Sequence, residues 1–298
     1  MTTVAPMPSL PYAGPAAKIA REAGALLRQY FLRGVETEYK GDVDLVTVAD
    51  RESERLITER LRLQWPRHGV YAEEGTRSQL EQEYRWYVDP LDGTTNFAHG
   101  FPVFCVSMGL EHRPAGTPPN ADGVLVAAVI YDPMREEMFV AEKGQGTYLN
   151  GARAQVSTTQ SLAESLIATG FPSRKRHQNP NVHFYQEFTL RSHGVRRAGS
   201  AALDMAYTAC GRFDAYWEFN LNPWDTAAGA LLVQEAGGTV TRMDGSPFRL
   251  DGREVLATNG KIQGEMMEIF QDMFAGRGLH PILTPAEFAA QRAARLQS

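Results

Sequence analysis

From Trp86 to Phe97 the chain reads Trp-Tyr-Val-Asp-Pro-Leu-Asp-Gly-Thr-Thr-Asn-Phe, an apolar run that passes directly into two carboxylates three residues apart. No other stretch narrows the fold so far. Aromatic and β-branched residues in unbroken succession suit a strand covered on both faces, as in a layered α/β protein. Pro90 cannot donate to a sheet ladder, so the strand is expected to end there, in a turn that lets Asp89 and Asp92 converge on one point. Gly93 allows the backbone close to whatever occupies that point. Thr94, Thr95 and Asn96 add hydroxyls, an amide and free N–H groups where the next element begins.

Two carboxylates on a rigid turn, with backbone donors just beyond, suit a hard divalent cation that holds a phosphate. Taken alone, such a pair is more often a plain Asp-Gly turn. Companions elsewhere in the chain decide between the two. A length of 298 residues with 43% hydrophobic content buries a sizeable core, as one large domain or two packed halves. Thirty basic against 35 acidic residues leave a net charge of −5, which argues against nucleic acid as the main ligand. Cys105 and Cys210 lie far apart in apolar contexts and read as reduced core residues. No apolar run approaches the roughly 20 residues of a membrane span, and the Pro-rich start does not read as a signal segment. A cytoplasmic protein that does not engage membranes is expected.

Residues 1–15 read as a disordered lead-in. From Ala16 the periodicity becomes helical, with Ile19, Ala23, Leu26, Leu27, Tyr30 and Phe31 on one face. Thr47 to Asp50 fits a capping box for the next helix, so Asp50 has a structural reading of its own. A short strand, Gly69 to Ala72, ends in Glu73-Glu74, either a solvated acidic turn or a second contributor to the central site. An antiparallel meander follows, with a Pro- and Gly-rich hairpin loop at 113–123. Asn150-Gly151 marks a tight turn near the expected join between two halves, 16–150 and 151–280.

The second half alternates strands with helices. Lys175, Arg176 and His177 form a basic loop that either faces a phosphate or is solvated. Gly199-Ser200-Ala201 opens a helix whose N-terminus suits an anion or a sugar hydroxyl, unless Ser200 is a simple N-cap. Glu218 ends a strand, and Pro223-Trp224-Asp225 opens an Ala/Gly/Leu-rich helix in which Asp225 has an N-cap alternative. Thr284 to Glu287 fits a capping box for one last helix, an appendage spanning part of 281–298. Each acid has a bland reading, but Asp50, Glu73, Asp89, Asp92 and Asp225 all sit where a strand ends or a helix begins. Like charges brought together there raise one another's pKa, so the cluster implies cations. No histidine has zinc-like spacing.

These motifs carry a resemblance. The Asp-Pro-Leu-Asp-Gly-Thr-Thr core within 86–97, Glu73-Glu74 upstream, and Trp224-Asp225 with Glu235-Ala236-Gly237-Gly238 downstream resemble the inositol monophosphatase family of Mg²⁺-dependent, Li⁺-sensitive phosphatases. The likeness runs from about Ala16 to Phe274. It implies an α/β, αβαβα five-layer sandwich of the type shared with fructose-1,6-bisphosphatase, and many members are homodimers. Carried over by position, Glu73, Asp89 and the Leu91 carbonyl hold a first Mg²⁺, and Asp89, Asp92 and Asp225 a second. Two or three ions are thus implied, with Li⁺ inhibiting and Ca²⁺ competing.

Asp50 and Thr95 match the family pair that orients the attacking water. Gly93 and Thr94 match the phosphate-holding amides, Lys40 a lysine near the phosphate, and Glu74 an acid behind the ligands. Gly199, Ser200, Ala201 and Glu218 match contacts to the inositol ring, with Arg196 supporting Glu218. The reaction implied is hydrolysis of a small phosphomonoester, inositol 1-phosphate first, by direct attack of a metal-activated water. Relatives use fructose 1,6-bisphosphate, 3′-phosphoadenosine nucleotides or histidinol phosphate instead, and a mainly regulatory protein that retains the metal site is the remaining alternative. Trp217, where Tyr or Phe is expected, and a long 113–123 loop depart from the pattern at the expected pocket rim.

Overall fold

The computed structural model describes residues 10–34, 37–39, 45–118, 121–171, 181–277 and Glu287. Lys40, residues 175–177 and the final helix apart from Glu287 lie outside the described residues. Helices α1 (Ala13–Arg33) and α2 (Val48–Gln64) bracket a ribbon of β1 (Thr37–Tyr39) and β2 (Leu45–Thr47). Next come β3 (Gly69–Ala72), β4 (Arg77–Ser78), β5 (Tyr84–Asp92) and the short helix α3 (Thr94–Ala98). Strands β6 (Cys105–His112), β7 (Val124–Asp132), β8 (Glu137–Glu142), β9 (Gly146–Leu149) and β10 (Ala152–Ala154) follow. They complete an eight-stranded sheet ordered β10-β9-β8-β7-β6-β5-β3-β4. All of its neighbouring strands are antiparallel except β3 and β5.

The rest of the chain supplies β11 (Leu166–Thr169), α4 (Asn181–Arg191), β12 (Gly194–Arg196), α5 (Ala201–Ala209) and β13 (Ala215–Phe219). Helix α6 (Pro223–Glu235), β14 (Thr239–Thr241), β15 (Glu254–Thr258) and α7 (Gln263–Phe274) complete it. Its five strands form a second sheet in the order β12-β11-β13-β15-β14. Helices α1 and α2 cover the outer face of the large sheet over Trp86, Val88, Met108 and Leu110. Helices α5 and α6 fill the space between the sheets, and α4 and α7 close the outer face of the small sheet over Trp217. The layers are therefore αβαβα, as the resemblance implies.

Both-sided burial of β5 follows from this order. Trp86 and Val88 face α1 and α2 while Tyr87 faces α6, and all three are buried. The strand does not end at Pro90. It runs on to Asp92 through a register shift against β6, because a proline is tolerated where a bulge removes the ladder bond it cannot make. Ser53 of α2 donates to the Pro90 carbonyl at 2.8 Å and holds the bulge against the helix layer.

Helix α1 begins at Ala13, three residues before the periodicity announces it, with Leu10 already buried. Its first N–H groups are met by a distant residue: Glu142 of β8 accepts from Tyr12 and Ala13 at 2.6 and 2.7 Å. A cap from 130 residues away leaves no local signal. The Asn150-Gly151 turn, with φ of 49° and 84°, joins β9 to β10, so the large sheet extends to Ala154. Cys105 and Cys210 are both free thiols.

Candidate active site

The pairing of β3 with β5 builds the centre of the site. Their parallel register sets Ala72 opposite Val88, so Glu73 and Asp89 leave adjacent strand ends, with the Glu73 N–H bonded to the Val88 carbonyl at 3.1 Å. Past the bulge, the Leu91 N–H donates to Asp89 Oδ1 at 3.0 Å. Asp92 is then turned toward the inter-sheet helices: the Ser200 hydroxyl and Ala202 N–H donate to its Oδ2 at 2.6 and 2.7 Å. Asp225 enters from α6, where it forms a capping box with Asn222 and accepts the Asn222 N–H at 2.6 Å. Glu73, Asp89, Leu91, Asp92, Gly93, Thr94, Thr95, Gly199, Ser200, Ala201, Glu218 and Asp225 all line one cavity of about 630 Å³.

Charge is the dominant property of this cavity. Burial pushes Asp89 well above the usual carboxylate range, and the charges of Glu73, Asp92 and Asp225 push it further. Burial and Glu73 raise Asp225 in the same way, whereas the Ser200 and Ala202 bonds partly offset the burial of Asp92. Acids that destabilise one another's ionised form suit hard cations, and the donors are all oxygen: carboxylates plus the Leu91 carbonyl. Their chemistry fits Mg²⁺. Among the described residues, however, no three Asp, Glu, His or Cys groups converge closely enough to hold an ion as they stand.

Asp50 is both a capping residue and a partner of the central turn. As N3 of α2 it completes a capping box, its Oδ2 accepting the Thr47 N–H and hydroxyl at 2.8 and 2.6 Å. Its Oδ1 points away from the cap and accepts the Thr94 hydroxyl at 3.1 Å. Burial raises its pKa despite these bonds. The chain also matches the model of the inositol monophosphatase family over residues 11–274. The chain belongs to that family.

Relatives and structures agree with the assignment. An inositol-1-monophosphatase of Synechocystis sp. is 44% identical over 251 residues, covering 83% of this chain and 84% of that protein. The protein named Nus factor SuhB of Pseudomonas aeruginosa is 42% identical over 254 residues, covering 83% and 90%. The structure of inositol monophosphatase from Anabaena (Nostoc) sp. superposes with a TM-score of 0.77 at 39% identity, covering 88% of this chain and 95% of that one.

Within this family member, several residues sit differently from expectation. The hydroxyl that meets Asp50 is that of Thr94; Thr95 lines the cavity too but is exposed, one step further around α3 from the left-handed N-cap Gly93 with φ 100°. Arg196 is not among the cavity-lining residues. It is exposed at the end of β12, and the next residue, Arg197, lines the cavity instead. Tyr216 donates to Glu218, two residues along the same face of β13, and Glu218 presses so closely on Gly170 that no Cβ fits there. Trp217 lies on the opposite face, fully buried with its indole N–H on Asn181 at 2.6 Å, so it is no part of the rim. Ser200 caps α5 and also grips Asp92, while Glu74, expected behind the ligands, is not a lining residue.

Other residues carried no signal of their own. Glu54, buried in α2, accepts the N–H groups of Glu74 and Thr76 at 2.6 and 2.9 Å and so shapes the turn that presents Glu73. Asn96 donates to the carbonyls of Val103 and Ala198, both at 2.8 Å, and ties the central turn to the start of α5. Asp204 is buried in α5 with Oδ1 lacking a hydrogen-bond partner among the described residues, its pKa raised first by burial and then by Glu218 and Asp92. Glu54 and Asp204 belong to no short motif, and although Asn96 lies in the central one, only contact across elements reveals what each of the three holds.

Proposed function

We propose that this chain is a Mg²⁺-dependent phosphomonoesterase that hydrolyses inositol monophosphate. The observation that carries the reading is the convergence of Glu73, Asp89, Asp92 and Asp225 on one cavity beside the Asp50–Thr94 pair. Glu73, Asp89, the Leu91 carbonyl, Asp92 and Asp225 would hold Mg²⁺, which supplies Lewis acidity toward the phosphoryl oxygens and lowers the pKa of water.

The chain's own groups orient the reaction. Thr94 spends its one proton on Asp50 Oδ1 or on the Leu91 carbonyl, each 3.1 Å away, and keeps lone pairs that accept from a water. A water so held turns its own lone pair toward phosphorus; as the bond to the leaving oxygen breaks, the water's proton passes to Thr94 while Thr94 hands its own to Asp50, and the departing alkoxide takes a proton from solvent. The N–H groups of Gly93 and Thr94 would meet the phosphoryl oxygens; a Cβ at Gly93 would come within 2.8 Å of the Val103 carbonyl, so only glycine fits. Glu218, which accepts the Tyr216 hydroxyl, would accept ring hydroxyls in turn. Direct displacement needs no phosphoenzyme. Li⁺ sensitivity and a cytoplasmic homodimer complete the proposal, and among the described residues no helix is long and apolar enough to cross a membrane.

The test is Mg²⁺-dependent phosphate release from inositol 1-phosphate, fructose 1,6-bisphosphate, 3′-phosphoadenosine 5′-phosphate and histidinol phosphate, with and without Li⁺. Preference for inositol phosphate, lost by orders of magnitude in Asp92→Asn at unchanged fold, supports the reading; near-normal turnover in that variant would sink it. A second reading, a protein that acts chiefly through a macromolecular partner, draws on the similarity to Nus factor SuhB. A folded, Mg²⁺-binding protein that hydrolyses none of the four substrates would favour it.

A further inference from the structure

The cavity carries two guanidinium groups for which phosphoryl transfer has no use. Arg197 lies across the start of α5: a Cβ at Gly199 would collide with Arg197 Nη1, so the glycine leaves room for the arginine as well as taking φ +89°. Arg197 Nη2 donates to the Phe171 carbonyl at 3.4 Å. Arg253 reaches the same cavity from the opposite strand end. The β13–β15 ladder closes at Phe219 and Glu254, and just beyond it Asn220 and Arg253 take φ of 63° and 54°. Arg253 Nη1 donates to Asn220 Oδ1 at 3.0 Å, and the Leu221 N–H bonds to the Arg253 carbonyl at 3.1 Å. Asparagine tolerates the left-handed region more readily than arginine does.

Both arginines hydrogen-bond to neutral oxygens, and Arg197 also acts through space on the buried Asp204 carboxylate. Arg135 and Arg242, by contrast, each pair with a carboxylate at 2.9 Å. Among the described residues neither Arg197 nor Arg253 has such a partner, although the cavity floor is acidic. Planar guanidinium forks match phosphate and carboxylate oxygens in pairs, and a cavity of about 630 Å³ leaves room beyond one phosphoryl group. Resting on the phosphomonoesterase reading, we infer that Arg197 and Arg253 form a recognition subsite for a second anionic group, phosphate or carboxylate, at the far end of the substrate from the bond that is cut.

The test compares substrates that share the reacting phosphate and differ in the second anion: fructose 1-phosphate against fructose 1,6-bisphosphate, and inositol 1-phosphate against inositol 1,4-bisphosphate. With full-length protein and Mg²⁺, kcat/KM for the bisphosphate member of at least one pair is expected to exceed that of its partner by about tenfold or more, chiefly through KM, the equivalent of one good ionic contact. In Arg197→Gln and Arg253→Gln that ratio falls toward one, and Arg253→Lys restores part of it. A wild-type ratio at or below one in both pairs overturns the inference, as does a ratio that neither substitution changes. Failure of the underlying reading looks different: no Mg²⁺-dependent phosphate release from any of the four compounds.

Discussion

Thr94 and Thr95 are the same residue type at neighbouring positions, and one step around α3 separates a hydroxyl bonded to Asp50 from one exposed to solvent. Removing the Thr94 hydroxyl should therefore lower kcat on the order of 10²-fold, the usual scale for a lost proton-relay contact, while Thr95→Ala stays within a few fold. Thr94→Ser, which keeps the hydroxyl, should recover most of the loss; equal effects at both threonines would refute the pairing. His68 offers a test remote from the cavity. Its ring lies between Trp65 and Tyr84 at 5.6 and 4.8 Å, its Nδ1 accepts the Trp86 indole N–H at 3.2 Å, and burial pulls its pKa down to about 4. The unfolded chain, with a pKa of about 6.5, takes up the proton first as pH falls. The neutral ring thus stabilises the fold above that value, and the contribution is lost as pH falls from about 6.5 to 4. The His68 proton resonances should titrate near 4, and the decline of the thermal midpoint across that window should flatten in His68→Asn.

Elements position the acids, and α6 is the clearest case. It carries Asp225 at its N-terminus and packs on β6 where Gly109 has no side chain: a Cβ there would lie 2.6 Å from Ala227 Cβ and 2.8 Å from the Ala228 nitrogen. Gly109→Ala must push the helix off the sheet, costing about 1–3 kcal/mol as overpacking does, and should also raise the Mg²⁺ concentration needed for half-maximal activity as Asp225 is displaced. Gly264 in α7, with nothing near its Cβ position, is the control. Gly264→Ala should be neutral or stabilise by up to about 1 kcal/mol. Calorimetry of the two variants against the parent separates crowding at a helix–sheet contact from backbone entropy. An unchanged Gly109→Ala protein would mean that α6 is not seated as described.

At the scale of the whole molecule, stability and the acid cluster are linked. Asp89 and Asp225 have raised pKa values, so without cations their stabilising contribution belongs to the protonated forms: present below the ordinary carboxylate range, lost as pH rises through the raised values. Mg²⁺ compensates the ionised forms, so its gain in thermal midpoint should be larger at pH 8 than at pH 5 and reversed by a chelator. A gain that is equal at both values would remove this cluster as the cation site. The sequence by itself determined the layered α/β class, the strand buried on both faces, the acids at element ends and the family, because each is written in local periodicity or in a contiguous motif. Only the tertiary structure decided that Thr94 rather than Thr95 meets Asp50, that Arg197 rather than Arg196 enters the cavity, that β5 passes through Pro90, and that Glu142 starts α1. Those outcomes depend on which way a side chain turns within an element and on what a distant strand or helix places opposite it, and neither is encoded in neighbours along the chain.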